Sequence, residues 1–402
     1  MDKLASLLRK CEKGNVALAT AIMMPLLVGA AGFGVETAFW FSQDSELQQA
    51  SDKAVYTAAI EKRAGSISTK ILSAAVTTAT ENGYTPGTLV IHYPPTTGAY
   101  VGNAQAIEAV LTREVPRLFT SIFIETPITD RTRAVAIMQT AANACVLALS
   151  PSASRAVEVS GSGKLNLIGC TVMSNSAAAD SVRVQGAAQM SADCIIAVGQ
   201  VSLRTGSTTT TCPKPLTDVP PVADPFVNVP VPTSSTNRPN TSAPTLLPGN
   251  YINGMSLSGT KTLSPGVYIV SSGSFRINAN ANISGSGVTI YLASGVSVSM
   301  NGNATVNLSA PTTGTYGGML FFGSRTGTSG VTFNGTASSK LTGSIYFANQ
   351  DVKYLGNFSG NGGCTRVVAR TIEWSGNTSI SQNCTAYGMA SIPALQVVKL
   401  VE

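Results

Sequence analysis

The sequence predicts a protein of mixed class: a single N-terminal transmembrane helix that continues into a helical stalk, a small α+β domain, and a C-terminal parallel β-helix (β-solenoid) stapled by disulfides. Three observations predict this architecture. A long uncharged stretch lies near the N-terminus, strand-like alternation recurs at a near-constant spacing further on, and six of the 7 cysteines follow the apolar stretch. With 44% hydrophobic and 11% charged residues, the chain of 402 residues has enough apolar surface to fold into several domains.

The composition argues against two broad classes of function. One histidine in 402 residues weighs against zinc enzymes and histidine-based catalytic triads. The net charge of +6 comes from basic residues that are scattered along the chain rather than interleaved with aromatic ones. Nucleic acid is therefore not an expected partner.

The N-terminal segment carries the strongest local signal. Residues 14–35 (GNVALATAIMMPLLVGAAGFGV) have no charge, and a helix of this length, rising about 1.5 Å per residue, spans a hydrocarbon core of about 30 Å. A signal peptide is the rival interpretation, but its apolar region is shorter, about 7–15 residues, so we favour an uncleaved anchor. The excess of Lys and Arg in residues 1–13 places this tail in the cytoplasm and the rest of the chain outside.

The pattern changes several times beyond the anchor. Residues from 36 to about 82 favour helix and place Leu47 and Ala54 on one stripe, whereas Ala106–Val115 and Ile128–Met138 favour strands. We expect six segments: a cytoplasmic tail (1–13), the transmembrane helix (14–41), a helical stalk with a small α+β domain (42–140), a first β-solenoid region (141–212), a Pro-rich segment (213–248) and a second β-solenoid region (249–402).

Internal repeats predict the solenoid. Val157 recurs as Val182, and residues 275–292 align with residues 298–310, each copy showing apolar alternation, a Gly/Asn turn and further alternation. A repeat of about 20–25 residues with strand-type alternation is typical of one solenoid coil. A β-sandwich would instead show turns about every 8–12 residues without self-similarity.

The cysteines fit such coils. The six beyond the anchor are even in number, as expected in an oxidising compartment, and no CxxC motif or nearby histidine suggests a metal site. Strands on adjacent coils lie about 4.8 Å apart, close to the Cα separation of roughly 5.5 Å in a disulfide. We expect the pairs Cys145–Cys170, Cys194–Cys212 and Cys364–Cys384. Cys170–Cys194 would satisfy the spacing as well, so the first pairing is a preference.

The Pro-rich segment allows two interpretations. Residues 213–248 contain ten of the chain's 20 prolines and should run extended. The segment is either a flexible linker between two solenoid regions or an ordered strap along the solenoid.

The N-terminal segment resembles a known family. The residues that carry the resemblance are Gly14-Asn15-Val16-Ala17, Pro25, Gly29-Ala30-Ala31-Gly32, Glu36, Trp40 and Leu47-Gln48-Gln49-Ala50-Ser51-Asp52-Lys53-Ala54. They are similar to the N-terminal region of TadG-like proteins of the tight-adherence (Tad/Flp) pilus system. Residues 85–140 look like the pseudopilin-type domain of TadE/TadG proteins, and residues 264–387 resemble the Gly/Asn-rich solenoid of many members.

The resemblance implies a role in type IVc pilus biogenesis. It implies a non-enzymatic, pseudopilin-related protein of the bacterial inner membrane, with one span and its bulk in the periplasm, that acts in pilus assembly, anchoring or surface adhesion. The implied partners are the membrane itself, other pseudopilins and the inner-membrane platform, with the major pilin as a further candidate. No cofactor and no small-molecule substrate is implied.

Four residues are candidates for a membrane or helix-bundle interface: Gly14, Pro25, Glu36 and Trp40. Glu36 has two interpretations, because it ends the apolar run. It either pairs with an amine of a partner helix, since lone charges there are costly, or it marks the outer boundary of the membrane segment.

An enzyme is the main alternative to weigh, because some β-solenoids cleave polysaccharides. Asp351, Glu373 and Arg366 could approach one another on neighbouring coils, but no second acid of matching spacing accompanies them. The lone His92 lies in a predicted strand without a nucleophile motif and favours a structural role. We expect no catalytic or metal-binding residue, and the alternative function is an envelope-anchored adhesin or a carbohydrate-binding or carbohydrate-cleaving protein.

Overall fold

The computed structural model describes residues 12–84, 87–239, 241–335, 338–356, 364–375, 378–381, 387–389 and 391–402. They form two compact units. The N-terminal unit contains the described residues up to Gln139 together with Val398–Glu402, and the solenoid unit contains Thr140–Val397.

Two helices begin the N-terminal unit. Helix α1 (Glu12–Arg63) is continuous through Pro25, and helix α2 (Ser68–Glu81) follows a short turn in which Gly65 has a φ of 78°. The predicted stripe of α1 is confirmed, because its apolar members are fully buried. They pack against Ile71, Ala75 and Ala79 of α2, which recur every four residues and so share one face.

A small antiparallel sheet completes this unit. Its strands are β1 (Thr88–His92), β2 (Ala106–Val115) and β3 (Ile128–Ala148), with a 3₁₀ turn (Thr120–Ile122) between β2 and β3. Val135 of β3 donates a backbone hydrogen bond of 2.8 Å to the carbonyl of Glu402. Residues 398–402 therefore belong to this unit, whereas the sequence pattern assigned them to the second solenoid region.

The predicted parallel β-solenoid is confirmed, with about ten turns. The first of its three sheets stacks, in spatial order, β12 (Asn237–Arg238), β14 (Gly249–Tyr251), β17 (Gly266–Val270), β20 (Val288–Leu292), β23 (Met319–Gly323), part of β25 (Lys340–Gly356), part of β26 (Thr365–Trp374), the end of β3, β6 (Thr171–Ser174) and β9 (Ile195–Ala197).

The other two sheets follow the same spatial order. The second stacks β15 (Met255–Leu257), β18 (Ser274–Ile277), β21 (Ser297–Met300), β24 (Val331–Gly335), the remainder of β25 and β26, β4 (Val157–Val159), β7 (Val182–Val184) and β10 (Val201–Leu203). The third has two described runs: β13 (Thr245–Leu246), β16 (Thr260–Leu263), β19 (Asn282–Gly285), β22 (Thr305–Ser309) and the start of β25, then β27 (Thr378–Ser381), β5 (Lys164–Ile168), β8 (Gln189–Ala192) and β11 (Thr208–Thr210). The last strand of the chain is β28 (Ile392–Leu400).

The chain enters this solenoid in the middle. From the end of β3 it winds towards β10 and β11, and the second region then returns from β12 to β26. There β26 pairs with both β3 and β4, in the registers Val367↔Val146 and Ile372↔Val157. The two repeat regions are therefore one continuous solenoid.

Aromatic side chains stack along the interior of the second sheet. Phe333, Tyr354 and Trp374 lie on successive coils, with ring centroids 5.4 and 5.5 Å apart, and all are buried. Because in-register parallel strands place side chains one coil apart directly above each other, identical positions form such ladders.

Disulfides link coils of the first repeat region. Cys145–Cys170 and Cys194–Cys212 are bonded, with Cα separations of 5.7 and 5.3 Å. These are the two pairings preferred from the sequence. In the third expected pair, Cys364 is buried and disulfide-bonded, and Cys384 lies outside the described residues.

The Pro-rich segment is an ordered strap. Val222 and Phe226 are buried against the outer face of the first sheet, in a cluster that includes Tyr346. The side chain of Asn175 accepts a hydrogen bond of 3.0 Å from the Val222 amide and donates one of 2.8 Å to its carbonyl. The strap thus replaces solvent along the outer face of the sheet.

Candidate functional site

The first half of α1 carries large apolar side chains that the described part of its own unit leaves exposed. Between Ala19 and Arg63 the helix is long and apolar enough to cross a membrane. Its large side chains Ile22, Leu26 and Val35 are 63–67% exposed, whereas Leu47 is completely buried. Pro25 is exposed within this half, and Gly14 lies in the first turn of the helix. Burying such a surface needs lipid or other apolar helices.

Glu36 ends this surface and is fully buried by its own chain. Its carboxylate accepts hydrogen bonds from the backbone amides of Leu118 and Thr120, at 2.7 and 2.8 Å, and from the Thr120 hydroxyl at 2.8 Å. The acid thus caps the start of the 3₁₀ turn between β2 and β3, where free amides point outwards. The sequence did not indicate these partners.

Two further contacts hold the same loop against α1. A Cβ at Gly32 would lie 2.6 Å from the ring of Phe119, so only glycine admits this ring. Arg117 lies over the Trp40 ring at 5.8 Å. Gly32, Glu36 and Trp40 are spaced by four residues, so they form one stripe of the helix that faces the loop.

A buried carboxylate also organises the other end of the N-terminal unit. Glu108 on β2 accepts hydrogen bonds from both Thr96 and Thr97, the shortest 2.6 Å, and pairs with Arg133. Burial by itself raises the pKa of the Glu108 carboxyl, but the hydrogen bonds from Thr97, Thr96 and Arg133 outweigh it and lower the pKa to about 2. The predicted structural residue His92 lies opposite Glu108 in the sheet and is half-buried.

A shallow groove of about 450 Å³ lies on the outer face of the second solenoid sheet. Its three acids are paired with bases: Asp351 with Arg370, Glu373 with Lys353 at 3.0 Å, and Glu158 with Arg155 at 3.9 Å. Arg366 is absent from its lining and instead points to the carbonyl of Met389 at 3.3 Å. The structure therefore places Asp351 and Glu373 in one groove and Arg366 outside it. An ion-paired carboxylate is a poor proton donor, and Glu158, which lies opposite Glu373 on the neighbouring coil, is itself ion-paired.

No group of three or more His, Cys, Asp or Glu side chains able to hold a metal occurs within the described part of the chain. The expected interface residues Gly14, Pro25, Glu36 and Trp40 all lie on α1, and the structure brings Glu36 and Trp40 together with the loop at residues 117–120.

Comparison with known families gives a match in the N-terminal segment. Residues 14–61 match the Tad family, described as "Putative Flp pilus-assembly TadE/G-like". The resemblance seen in the N-terminal sequence is thereby confirmed for this segment. Neither the curated proteins nor the solved structures contain a match to the chain.

Proposed function

We propose that this protein is a membrane-anchored, non-enzymatic and pseudopilin-related component of Tad/Flp pilus biogenesis. Residues 14–41 span the bacterial inner membrane once, residues 1–13 lie in the cytoplasm, and the rest of the N-terminal unit and the solenoid unit lie in the periplasm. The observation that carries the proposal is that the family match covers the same part of α1 as its exposed apolar surface and its buried stripe. The family match covers residues 14–61, which are the exposed apolar half of α1 and most of its buried stripe.

The exposed apolar surface of α1 suits packing against the membrane helices of related proteins. In lipid, helix association depends on close packing and on small residues, because the apolar side chains gain little from leaving lipid tails. Gly29 and Gly34 have no atom of their own unit near a Cβ position, so their faces are available to a partner helix. The proposed partners are proteins with apolar helices of their own: other pseudopilins, the inner-membrane platform and the major pilin.

A substitution at an uncovered glycine tests this role. Gly29→Leu adds bulk where the fold has space, so the full chain should stay folded and membrane-bound while pili on the parent bacterium decrease. Leu27→Ile, which conserves volume on the exposed surface, is the matched control. Normal piliation in cells that lack the whole protein would contradict the proposal.

An adhesin is the second candidate function. The open groove on the second solenoid sheet carries paired charges and hydroxyls, a lining suited to a polar surface ligand such as a carbohydrate. Replacing Lys353 and Arg370 with Ala would then abolish surface attachment while leaving pili in normal number. Loss of pili would favour the assembly role instead.

A further inference from the structure

The loop between β2 and β3 carries an apolar cluster that the fold leaves open. We define the apolar loop as residues 118–124. Its side chains Leu118, Ile122, Phe123 and Ile124 are 46–76% exposed, and two of them, Ile122 and Phe123, are among the most exposed large apolar side chains of the described residues. We propose that this loop enters the outer leaflet of the same bilayer that α1 spans, as a second membrane contact.

The depth of the loop is fixed by α1. Phe119 packs on Gly32, inside the apolar stretch of the helix, and Glu36 binds the loop one turn further on. Both contacts lie within the N-terminal unit. Lipid that surrounds α1 at Gly32 therefore also meets the loop beside it.

The polar groups around the loop match the order of a membrane interface. Trp40 and Arg117 lie in contact one turn beyond Glu36, and both side-chain types favour the headgroup level. Arg117 also donates a hydrogen bond of 2.8 Å to the carbonyl of Thr126, beyond the loop. The exposed acid Glu125 follows Ile124 and marks where the chain leaves the apolar zone.

The backbone of the loop suits a water-poor environment. The amides of Leu118 and Thr120 bind Glu36, and those of Phe123 and Ile124 bind the carbonyl of Thr120 at 3.0 Å. The hydroxyl of Ser121 donates to the carbonyl of Leu118. Four of the loop's seven amides are bonded in these ways, which lowers the cost of bringing them near hydrocarbon, where each free amide costs several kcal/mol.

Lipid explains this arrangement better than a protein partner. The apolar side chains lie beside the exposed surface of α1, because Phe119 of the same loop contacts Gly32, and they lie on a short turn rather than in a groove that a helix could fill. A surface that continues the proposed lipid contact of α1 needs no further partner. The inference rests on the proposed span of α1.

Depth-dependent fluorescence quenching tests the inference on the full chain in phosphatidylcholine vesicles. Phe123→Trp places a reporter on the loop, and Val101→Trp is the matched control, since Val101 is 57% exposed in the same unit. The control lies near Ala104, whose carbonyl binds Lys62, at the far end of α1 from Glu36. Trp40 and Trp374 contribute the same background to both variants.

We expect lipids brominated in the upper acyl chain to quench the added emission of Phe123→Trp and not that of Val101→Trp. Equal quenching of both variants, while the protein resists alkaline extraction, would overturn the inference and leave the anchor intact. A blue-shifted but unquenched Phe123→Trp would also overturn it, because a protein partner then covers the loop. Complete extraction of the protein by alkali would refute the proposed anchor itself.

Discussion

The hydroxyl of Tyr346 donates a hydrogen bond of 2.6 Å to the carboxylate of Asp224, which joins the first solenoid sheet to the strap. Burial, with this carboxylate beside it, raises the pKa of Tyr346, so the hydroxyl keeps its proton at physiological pH. Arg325 completes the junction. It donates hydrogen bonds to the Tyr346 hydroxyl at 3.0 Å and to the carbonyls of Phe226 and Val229 at 2.6 and 2.8 Å.

Arg325→Ala is expected to release the strap. The change removes three hydrogen bonds from a charged donor, at a cost of roughly 2–3 kcal/mol in unfolding free energy. The Val229 carbonyl loses its partner, whereas the Phe226 carbonyl keeps a hydrogen bond of 3.0 Å from the Val229 amide. Limited proteolysis of the folded protein should then cut within residues 213–248. Arg276→Ala, on an exposed position of β18, should keep the wild-type fragment pattern. Equal resistance of both variants would mean that packing alone holds the strap.

The Cys194–Cys212 disulfide is expected to be reduced before Cys145–Cys170. Cys145 and Cys170 are 0% and 1% exposed, whereas Cys212 is only half-buried and lines an open concavity. Alkylation at increasing dithiothreitol concentrations, read out by mass spectrometry, should therefore label Cys194 and Cys212 before Cys145 and Cys170. Each closed loop stabilises the fold by about 3 kcal/mol, since the separations are 25 and 18 residues. In urea, where the unfolded chain exposes all four cysteines, the two disulfides should be reduced together. If Cys194–Cys212 is still reduced first there, burial does not explain the order.

Acid is expected to weaken the N-terminal unit through Glu108. Its folded pKa, about 2, lies below the unfolded value near 4.5, so its contribution is present above pH 4.5 and is lost as the pH falls towards 2. Glu108→Gln should lower stability at pH 7 by roughly 1–3 kcal/mol and flatten the stability profile between pH 4.5 and 2. Circular dichroism during denaturation of the full chain in detergent measures both effects. Glu114→Gln, exposed on the same strand, should reproduce the wild-type profile.

Glu36→Ala is expected to free the amides of the 3₁₀ turn. Losing three hydrogen bonds to a buried carboxylate removes roughly 2 kcal/mol of local stability. Hydrogen exchange at Leu118 and Thr120 should accelerate at least about tenfold. Glu46→Ala, an exposed acid on the same helix, should leave both rates unchanged. Unchanged exchange in Glu36→Ala would show that the Phe119 contact suffices.

Much of the fold was predictable from the local periodicity of apolar residues. The spacing that aligns Val157 with Val182 and Phe275 with Val298 is the register observed between their strands. The buried stripe of α1 and the disulfide-stapled solenoid followed from the same kind of signal. A repeated pattern of apolar residues fixes which side chains stack, because each strand has only two faces.

Contacts distant in sequence left no such signal. The pairing of Val367 with Val146 joins segments whose repeats have no special spacing, so the order of coils was not predictable. Glu36 binds backbone amides, which every residue except proline carries, so no residue type marks its partner. The contact of Phe119 with Gly32 depends on tertiary packing, which no local pattern records.

The chain enters its solenoid at a middle coil rather than at one end, which has a consequence during synthesis and export. One edge of β3 and of β4 stays unpaired until β26 is synthesised, more than 200 residues later. The earlier coils therefore form with one parallel edge exposed. Open parallel edges are templates for foreign strands. Two chains emerging side by side can each donate this coil to the other, and domain-swapped dimers are the misfolding product to look for when the protein is overproduced.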